Sequence, residues 1–174
     1  DDSGWKPAVI RKAPEGKLMA HTAFTDKVTL RIPPVKIEKT KDGKWHVDFG
    51  IEISGRLRLQ NVTAPAGHKT EIRYLSNYYS GDNSYTFKGE GSESYAARFN
   101  WFVFSAVEIT NWPGELRPDQ VVAEAVNTEI EETATFETSN PLFNDINKIW
   151  KRSQLDNMHG GIASDCPHRE RSAY

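Results

Sequence analysis

The sequence predicts a mainly β protein, an antiparallel β-sandwich followed by one C-terminal α-helix. Up to about residue 137, apolar residues alternate with polar ones in short runs, as in strands that bury one face. Clusters rich in Gly, Asn and Asp separate these runs and favour tight turns. After residue 137 the apolar spacing becomes helical. Many short strands with turns at such spacing are typical of a sandwich.

The alternating runs define the predicted strands in chain order. These strands are residues 28–32, 45–49, 57–62, 71–75, 101–104, 107–109 and 121–122. The predicted turns are residues 41–43, 65–67, 80–83, 89–91 and 112–114. The aromatic content of 11% favours a sandwich core filled by large side chains. Residues 1–20 show little periodicity, so we expect a linker or the tail of a preceding domain there, with the sandwich over 21–137.

The predicted helix begins with Asn140 as N-cap and Pro141 at the first helical position. It is expected to run to about Asn157 and to end at the glycine pair 160–161. Its apolar residues recur at helical spacing and are Leu142, Phe143, Ile146, Ile149 and Trp150. One amphipathic helix cannot bury its own apolar face. We therefore expect this face to fold back on the sandwich or to mediate self-association.

The overall charge and composition exclude several classes of partner. The formal net charge is -2 and the basic residues are scattered, which argues against nucleic acid or an anionic membrane surface as partner. No apolar run approaches the roughly 18–20 residues that a membrane span needs. The single cysteine, Cys166, excludes an intramolecular disulfide. Because the chain opens on Asp1, the sequence leaves periplasmic, extracellular and cytoplasmic locations open.

The densest set of functional side chains is the Asp-Cys-Pro-His-Arg-Glu-Arg run at residues 165–171. In a loop after a helix, Asp165 and Glu170 can serve as a sugar-hydroxyl acceptor and an acid. Arg169 and Arg171 flank Glu170 and favour its ionised form, which opposes an acid role unless burial outweighs them. Residue types alone favour a solvated charged tail over a site.

Other candidate sites have structural explanations that the sequence favours. Cys166 and His168, with His159 nearby, match no standard metal pattern, and the thiol has no positioned base. Calcium loops at 42–43 and 80–83 would lack the remaining spaced carboxylates, so turns are favoured. We therefore predict no metal and no cofactor. Core packing is likewise favoured over a sugar-stacking platform for the aromatic candidates Tyr74, Tyr78, Tyr79, Tyr85 and Trp101.

Residues 157–174 carry a family resemblance. The run Asn-Met-His-Gly-Gly-Ile-Ala-Ser-Asp-Cys-Pro-His-Arg-Glu-Arg-Ser-Ala-Tyr resembles the opening of the catalytic domain of bacterial α-L-rhamnosidases. Val-Asp-Phe-Gly at 47–50 with Ile-Ser-Gly at 53–55 resembles a strand motif of the family's sandwich. Ser-Asn-Pro-Leu at 139–142 resembles the start of the family's first barrel helix. The resemblance spans essentially the whole chain.

This resemblance implies a fold, an activity and a site. The fold is a concanavalin-like, lectin-like sandwich followed, over residues 138–174, by the first helix and acid-motif loop of a truncated (α/α)6 barrel. The activity is inverting hydrolysis that releases terminal α-L-rhamnose from a glycan or glycoside. The resemblance makes Glu170 the general acid, with Asp165 holding the sugar, Arg169 ordering the pocket and Tyr174 lining it.

The end of the run departs from the family pattern. Residues 172–174 read Ser-Ala-Tyr where Leu-Gly and an aromatic residue are common, and the downstream glutamate that activates water is missing. Inverting enzymes need two carboxyl groups about 6.5–9.5 Å apart. We therefore expect an internal fragment that is inactive alone, with its general base outside this chain. The alternative is a non-catalytic carbohydrate-binding or structural sandwich, which would have no reason to carry residues 165–171.

Overall fold

The computed structural model describes residues 3–77, 81–160 and 162–163. Within these residues the strands are β1 Asp26–Ile32, β2 Lys36–Lys39, β3 Trp45–Val62, β4 Lys69–Leu75, β5 Asp82–Thr86, β6 Glu93–Ala96, β7 Phe102–Thr110, β8 Val121–Thr128, β9 Met158–His159 and β10 Ile162–Ala163. One α-helix, α1, spans Pro141–Asp156, and a 3-10 turn spans Pro118–Gln120. No helix in the described part of the chain is long and apolar enough to cross a membrane.

Strands β1 to β8 form one antiparallel sheet in the order β1-β8-β3-β7-β4-β5, and β2 and β6 also pair with β3. The 18-residue strand β3 organises this sheet, because its first part pairs with β2 and β7 and its second part with β7, β8 and β6. Its register against β7 shifts between Asp48 and Ile53, where Gly50 has a φ of +72°. Such an irregularity bends a strand and lets the sheet curl around one core.

The core lies inside this curled sheet. Alternate residues of β3 point inward, so Val47, Phe49, Ile53 and Leu57 are buried. Tyr74 is also fully buried, and its hydroxyl accepts a hydrogen bond from the backbone N–H of Leu57 at 3.1 Å. Burial raises the pKa of Tyr74 to about 12. The curled, fully antiparallel sheet around an aromatic-rich core confirms the predicted fold class.

The predicted strands are confirmed in part. Two pairs of predicted strands, 45–49 with 57–62 and 101–104 with 107–109, are continuous as β3 and β7. The short strands β2, β5 and β6 were not predicted. The predicted turn over 80–83 is wrong at Asp82 and Asn83, because their backbone pairs with β4 and begins β5.

The helix start agrees with the prediction. The side chain of Asn140 accepts the N–H of Leu142 at 3.0 Å, and Pro141 is the first helical residue. The helix ends at Asp156, with Asn157 as C-cap, which agrees with the predicted end at about Asn157. A small hairpin follows, in which Met158 and His159 pair with Ala163 and Ile162. At the other end of the chain, residues 3–25 contain no strand or helix and are exposed.

Candidate functional site

The predicted site residues Asp165, Arg169, Glu170 and Tyr174 lie outside the described residues, as do Cys166 and His168. The structure does describe the segment that leads into this motif, from the end of α1 through the hairpin of β9 and β10. That segment is fastened to the sandwich by a polar contact set, which we call the seam. The seam consists of Asp26, Ser54, Trp101, Asn127, Thr128, Arg152, Asp156, His159 and Gly160.

Ser54 lies at the centre of the seam. The core-facing residues of β3 next to Ser54, Ile53 and Leu57, are odd-numbered, so Ser54 points to the outer face of the sheet, yet none of its surface is exposed. The end of α1 and β9 cover it. Its backbone N–H donates to Oδ1 of Asp156 at 2.8 Å, and its Oγ lies 2.8 Å from Nε2 of His159. Sequence reasoning missed Ser54 as a site residue.

Asp156 receives a second group of donors from its own helix. Arg152 donates through Nη2 to Oδ1 at 2.6 Å and through Nε to Oδ2 at 3.1 Å, a bidentate pair one helical turn apart. Arg152 Nη2 also donates to the side-chain oxygen of Asn127 on β8 at 3.3 Å. Burial raises the pKa of Asp156 above its usual value, against the opposing hydrogen bonds from Arg152 and Ser54.

His159 joins the hairpin to two strands. Its Nδ1 lies 3.4 Å from Oδ2 of Asp26 on β1, and its Nε2 faces Ser54 on β3. Burial lowers the pKa of His159 below 6.5, with the neighbouring carboxylate of Asp26 acting in the opposite direction. The imidazole is therefore neutral at neutral pH. Because a carboxylate only accepts, we assign the ring proton to Nδ1, so that the Ser54 hydroxyl donates to Nε2.

Asp26 and Trp101 complete the seam. One oxygen of Asp26, Oδ1, accepts the backbone N–H of Gly160 at 2.8 Å and the hydroxyl of Thr128 at 3.0 Å. Gly160 has a φ of +66°, a conformation that glycine adopts without steric cost. The indole of Trp101, just before β7, stacks on the ring of His159. The chain entering residues 165–171 is thus held by β1, β3 and β8.

Ser54, His159 and Asp26 touch in the same order as a serine-hydrolase triad. A nucleophilic role for Ser54 does not fit, because its Oγ lies in a residue with no exposed surface and cannot meet a substrate carbonyl. The Nδ1–Oδ2 distance of 3.4 Å is also long for the hydrogen bond that orients a catalytic imidazole. The arrangement therefore acts as an anchor between the sandwich and the hairpin.

A second buried polar group adjoins the seam. Glu124 on β8 has no exposed side-chain surface and is surrounded by Arg31 at 3.2 Å, Arg56 at 2.9 Å and Arg58 at 2.7 Å. Burial acts to raise its pKa, but the hydrogen bonds and charges of Arg58 and Arg56 outweigh burial, so the pKa of Glu124 is lowered. Arg56 lies two residues after Ser54 on β3, so the two polar groups share the outer face of the sheet.

The aromatic candidates do not form a sugar-stacking platform in the part of the chain described. Tyr74 is in the core, Tyr85 stacks on Tyr95 with ring centroids 4.5 Å apart, and Trp101 covers His159. Tyr78 and Tyr79 lie outside the described residues. An open depression of about 630 Å³ over β4, β5 and β7 is lined by charged and small polar residues and Ile72, with no aromatic residue.

The calcium-loop candidate at residues 42–43 forms a turn. Asp42 accepts from the hydroxyl of Thr40 at 2.6 Å and pairs with Lys44 at 2.9 Å, and Gly43 has a φ of +83°. This is the chemistry of a tight turn. Over the described ranges, no group of three His, Cys, Asp or Glu side chains is arranged to hold a metal ion.

The described residues form a curled antiparallel β-sandwich, with the C-terminal end of one α-helix and a small hairpin fastened to its outer face. Residues 38–127 match the bacterial alpha-L-rhamnosidase concanavalin-like domain, and residues 131–174 match the bacterial alpha-L-rhamnosidase 6 hairpin glycosidase domain. The chain therefore belongs to the bacterial α-L-rhamnosidase family.

Individual relatives agree with this assignment. The chain is 34% identical over 193 aligned positions to an alpha-L-rhamnosidase of Formosa agariphila, covering 100% of this chain and 20% of the relative. The alpha-L-rhamnosidase structure from Dictyoglumus thermophilum superposes with a TM-score of 0.85 at 30% identity, covering 100% of this chain and 21% of the other. A Streptomyces avermitilis alpha-L-rhamnosidase solved with L-rhamnose gives a TM-score of 0.79 at 25% identity, over 87% and 16%. The chain thus spans about a fifth of the length of the curated relatives that it matches.

Proposed function

We propose that this chain is part of an α-L-rhamnosidase that hydrolyses terminal α-L-rhamnose from a glycan or glycoside. The observation that carries the proposal is the consecutive match of the sandwich and of residues 131–174 to two domains of the same enzyme family. One similar enzyme, from Streptomyces avermitilis, was solved in complex with L-rhamnose. Because the chain spans about a fifth of its relatives, the activity belongs to a longer protein.

The proposed chemistry is an inverting displacement. Glu170 protonates the leaving oxygen as general acid, and a second carboxylate outside this chain activates water on the opposite face of the sugar. Asp165 holds the sugar hydroxyls, Arg169 orders the pocket and Tyr174 lines it. Burial of Glu170 among helices would raise its pKa, so that it stays protonated at the working pH.

The described part of the chain supports a second, structural role. The sandwich holds the end of α1 and the hairpin through buried, directional polar contacts, as a brace for a helical domain requires. The two roles are compatible, because the brace serves the enzyme.

The isolated chain is expected to behave differently from the longer protein. It lacks the proposed general base, so it should be inactive alone. It also carries an apolar stripe on α1, in which Trp150 is 59% exposed and Ile149 is 67% exposed. The stripe does not fold back on the described part of the sandwich, which was one of the two expectations for it. Self-association through this stripe is the remaining expectation for the isolated chain.

The test is release of 4-nitrophenol from 4-nitrophenyl α-L-rhamnoside by the full-length gene product that contains this chain. We expect turnover by wild type, little or none by Glu170→Gln, and wild-type turnover by Glu137→Gln, whose exposed carboxylate precedes α1. The 174-residue chain should give no turnover. Failure of the full-length protein to hydrolyse any α-L-rhamnoside would contradict the proposed activity, and turnover by the short chain would contradict the placement of the general base.

A further inference from the structure

We infer that Ser54, His159 and Asp26 are positioning residues for the reaction, because they fix the start of the acid-bearing motif on the sandwich. This inference rests on the proposed function, since it concerns the placement of Glu170 and Asp165. It assigns a catalytic consequence to Ser54 and Asp26 of the sandwich and to His159 of the hairpin, which the resemblance leaves without a role in the chemistry.

The anchor lies close along the chain to the two proposed carboxylates. His159 precedes Asp165 by six residues and Glu170 by eleven. An extended chain covers at most about 3.6 Å per residue, so at most about 22 Å can separate Asp165 from His159. Whatever fixes residues 159 and 160 therefore limits where both carboxylates can be placed.

Hydrogen bonds hold the segment that precedes the motif. Apolar packing tolerates small shifts, whereas hydrogen bonds fix distance and direction. The segment from Asp156 to Gly160 is held by such bonds to Ser54 and Asp26, on two strands of the sheet. The parallel stack of His159 on Trp101 excludes water from one face of the imidazole and prevents the ring from rotating.

Enzyme reactions are sensitive to small displacements of their catalytic groups. A misplacement of about 1 Å, produced by a change far from the reacting atoms, can cost about 100-fold in rate. Removing the His159 ring would leave Ser54 Oγ without its partner and would release Gly160 from a fixed neighbour. We expect the general acid to lose its alignment with the leaving oxygen before the protein loses its fold.

The test compares two substrates that differ in their need for acid catalysis. Methyl α-L-rhamnoside has a poor leaving group that must be protonated, whereas 2,4-dinitrophenyl α-L-rhamnoside has one that leaves as an anion. The full-length gene product is assayed as wild type, His159→Ala, Ser54→Ala and His159→Gln, whose amide can still bond to Ser54. The matched control is His46→Ala, a half-buried histidine on the same strand as Ser54 but outside the seam.

We expect kcat for methyl rhamnoside to fall about 10- to 100-fold in His159→Ala and Ser54→Ala. For the dinitrophenyl substrate we expect a fall of less than about 3-fold, because departure of this group needs little proton transfer. His159→Gln should recover part of the loss, and His46→Ala should match wild type. Loss of folded protein would reduce the two rates by the same factor. The ratio of the rate on methyl rhamnoside to the rate on the dinitrophenyl substrate therefore distinguishes a loss of positioning from a loss of stability.

Equal losses on the two substrates, or no loss on either, would overturn the inference while leaving the proposed function intact. A wild-type protein that hydrolyses neither rhamnoside would overturn the proposed function, and the inference with it. Activity of the wild-type protein therefore shows whether the proposed function has failed or only the inference.

Discussion

His159 lies flat against Trp101, with ring centroids 3.8 Å apart and ring planes 5° from parallel. The two rings come from opposite sides of the junction between the sandwich and the hairpin that follows α1. Trp101 precedes β7, and His159 ends β9. Their contact therefore joins the sandwich directly to the hairpin.

Truncating the indole should loosen this junction. We expect Trp101→Ala to lower the free energy of unfolding by about 2 kcal/mol, from lost aromatic stacking and lost burial of a half-buried ring. Urea denaturation followed by circular dichroism measures this change. Trp5→Ala is the matched control, because Trp5 is 83% exposed, and should change stability by less than about 0.5 kcal/mol. Equal effects of the two substitutions would contradict a structural role for the stack.

The seam should make stability depend on pH through His159. Its folded-state pKa lies below 6.5, so between that pKa and about 6.5 the unfolded chain binds more protons than the folded one. The free energy of unfolding should therefore decrease as pH falls through this window. Above the window the imidazole is neutral in both states, so His159 should cause no pH dependence there. The pKa of Asp156 is raised, so the folded chain binds more protons than the unfolded chain between the usual and the raised pKa of this carboxyl. Over that window Asp156 makes the free energy of unfolding decrease as pH rises, opposite to the effect of His159.

Urea midpoints at several pH values between 5 and 8, in wild type and in His159→Gln, isolate the histidine contribution. The difference between the two proteins should decrease toward low pH, because only wild type carries the cost of keeping the imidazole neutral. His46→Gln serves as control and should follow wild type. A difference that stays constant across the range would mean that His159 titrates alike in both states.

The fold was predictable in strands whose one-sided burial produces alternating apolar and polar residues in the sequence. Most of β1, β4 and β7 was predicted, as were two parts of β3, but only the first two residues of β8 were predicted. The short strands β2, β5 and β6 carry few apolar residues, so no alternation could reveal them. The two halves of β3 appeared separate because Gly50 and exposed Ile51 interrupt the pattern, whereas the chain only bends there.

The seam could not be predicted in the same way. Ser54 and His159 are 105 residues apart, and neither position carries a local signal of its partner. A serine on the outer face of a strand normally faces water, so only the docked helix end explains its burial. The resemblance did indicate residues 165–174, but they lie outside the described residues and their assigned roles stay predictions.

Glu124 should contribute to the stability of the sheet by balancing the charge of three arginines on its outer face. In Glu124→Gln the three arginines around it would lose their counter-charge, and we expect the free energy of unfolding to fall by about 2 kcal/mol. Glu129→Gln is the control, since Glu129 forms an exposed ion pair with Lys27 just after β8 and should matter by less than about 0.5 kcal/mol. If the two variants unfold at the same urea concentration, the buried cluster contributes no more than a surface pair.

Gly55 should tolerate no side chain. A Cβ at this position would lie 2.0 Å from the carbonyl oxygen of Glu124, so β3 and β8 would have to separate where Gly55 pairs with Ala125. We expect Gly55→Ala to cost at least about 3 kcal/mol or to prevent folding. Gly16→Ala, with nothing within 4 Å, should be neutral. A soluble Gly55→Ala protein with a wild-type urea midpoint would show that the strands can move apart freely.

The apolar stripe of α1 should control the association of the isolated 174-residue chain. Five of its side chains are more than half exposed, namely Leu142, Phe143, Ile146, Ile149 and Trp150. Pairing two such stripes would remove apolar surface from water, which stabilises an oligomer by about 25 cal/mol for each Å² buried.

Size-exclusion chromatography with light scattering should show concentration-dependent association of wild type and a monomer for Trp150→Asp. Gln154→Asp introduces the same charge at an exposed polar position of α1, so it should associate like wild type. A wild-type chain that stays monomeric at high concentration would rule out the stripe as a self-association surface.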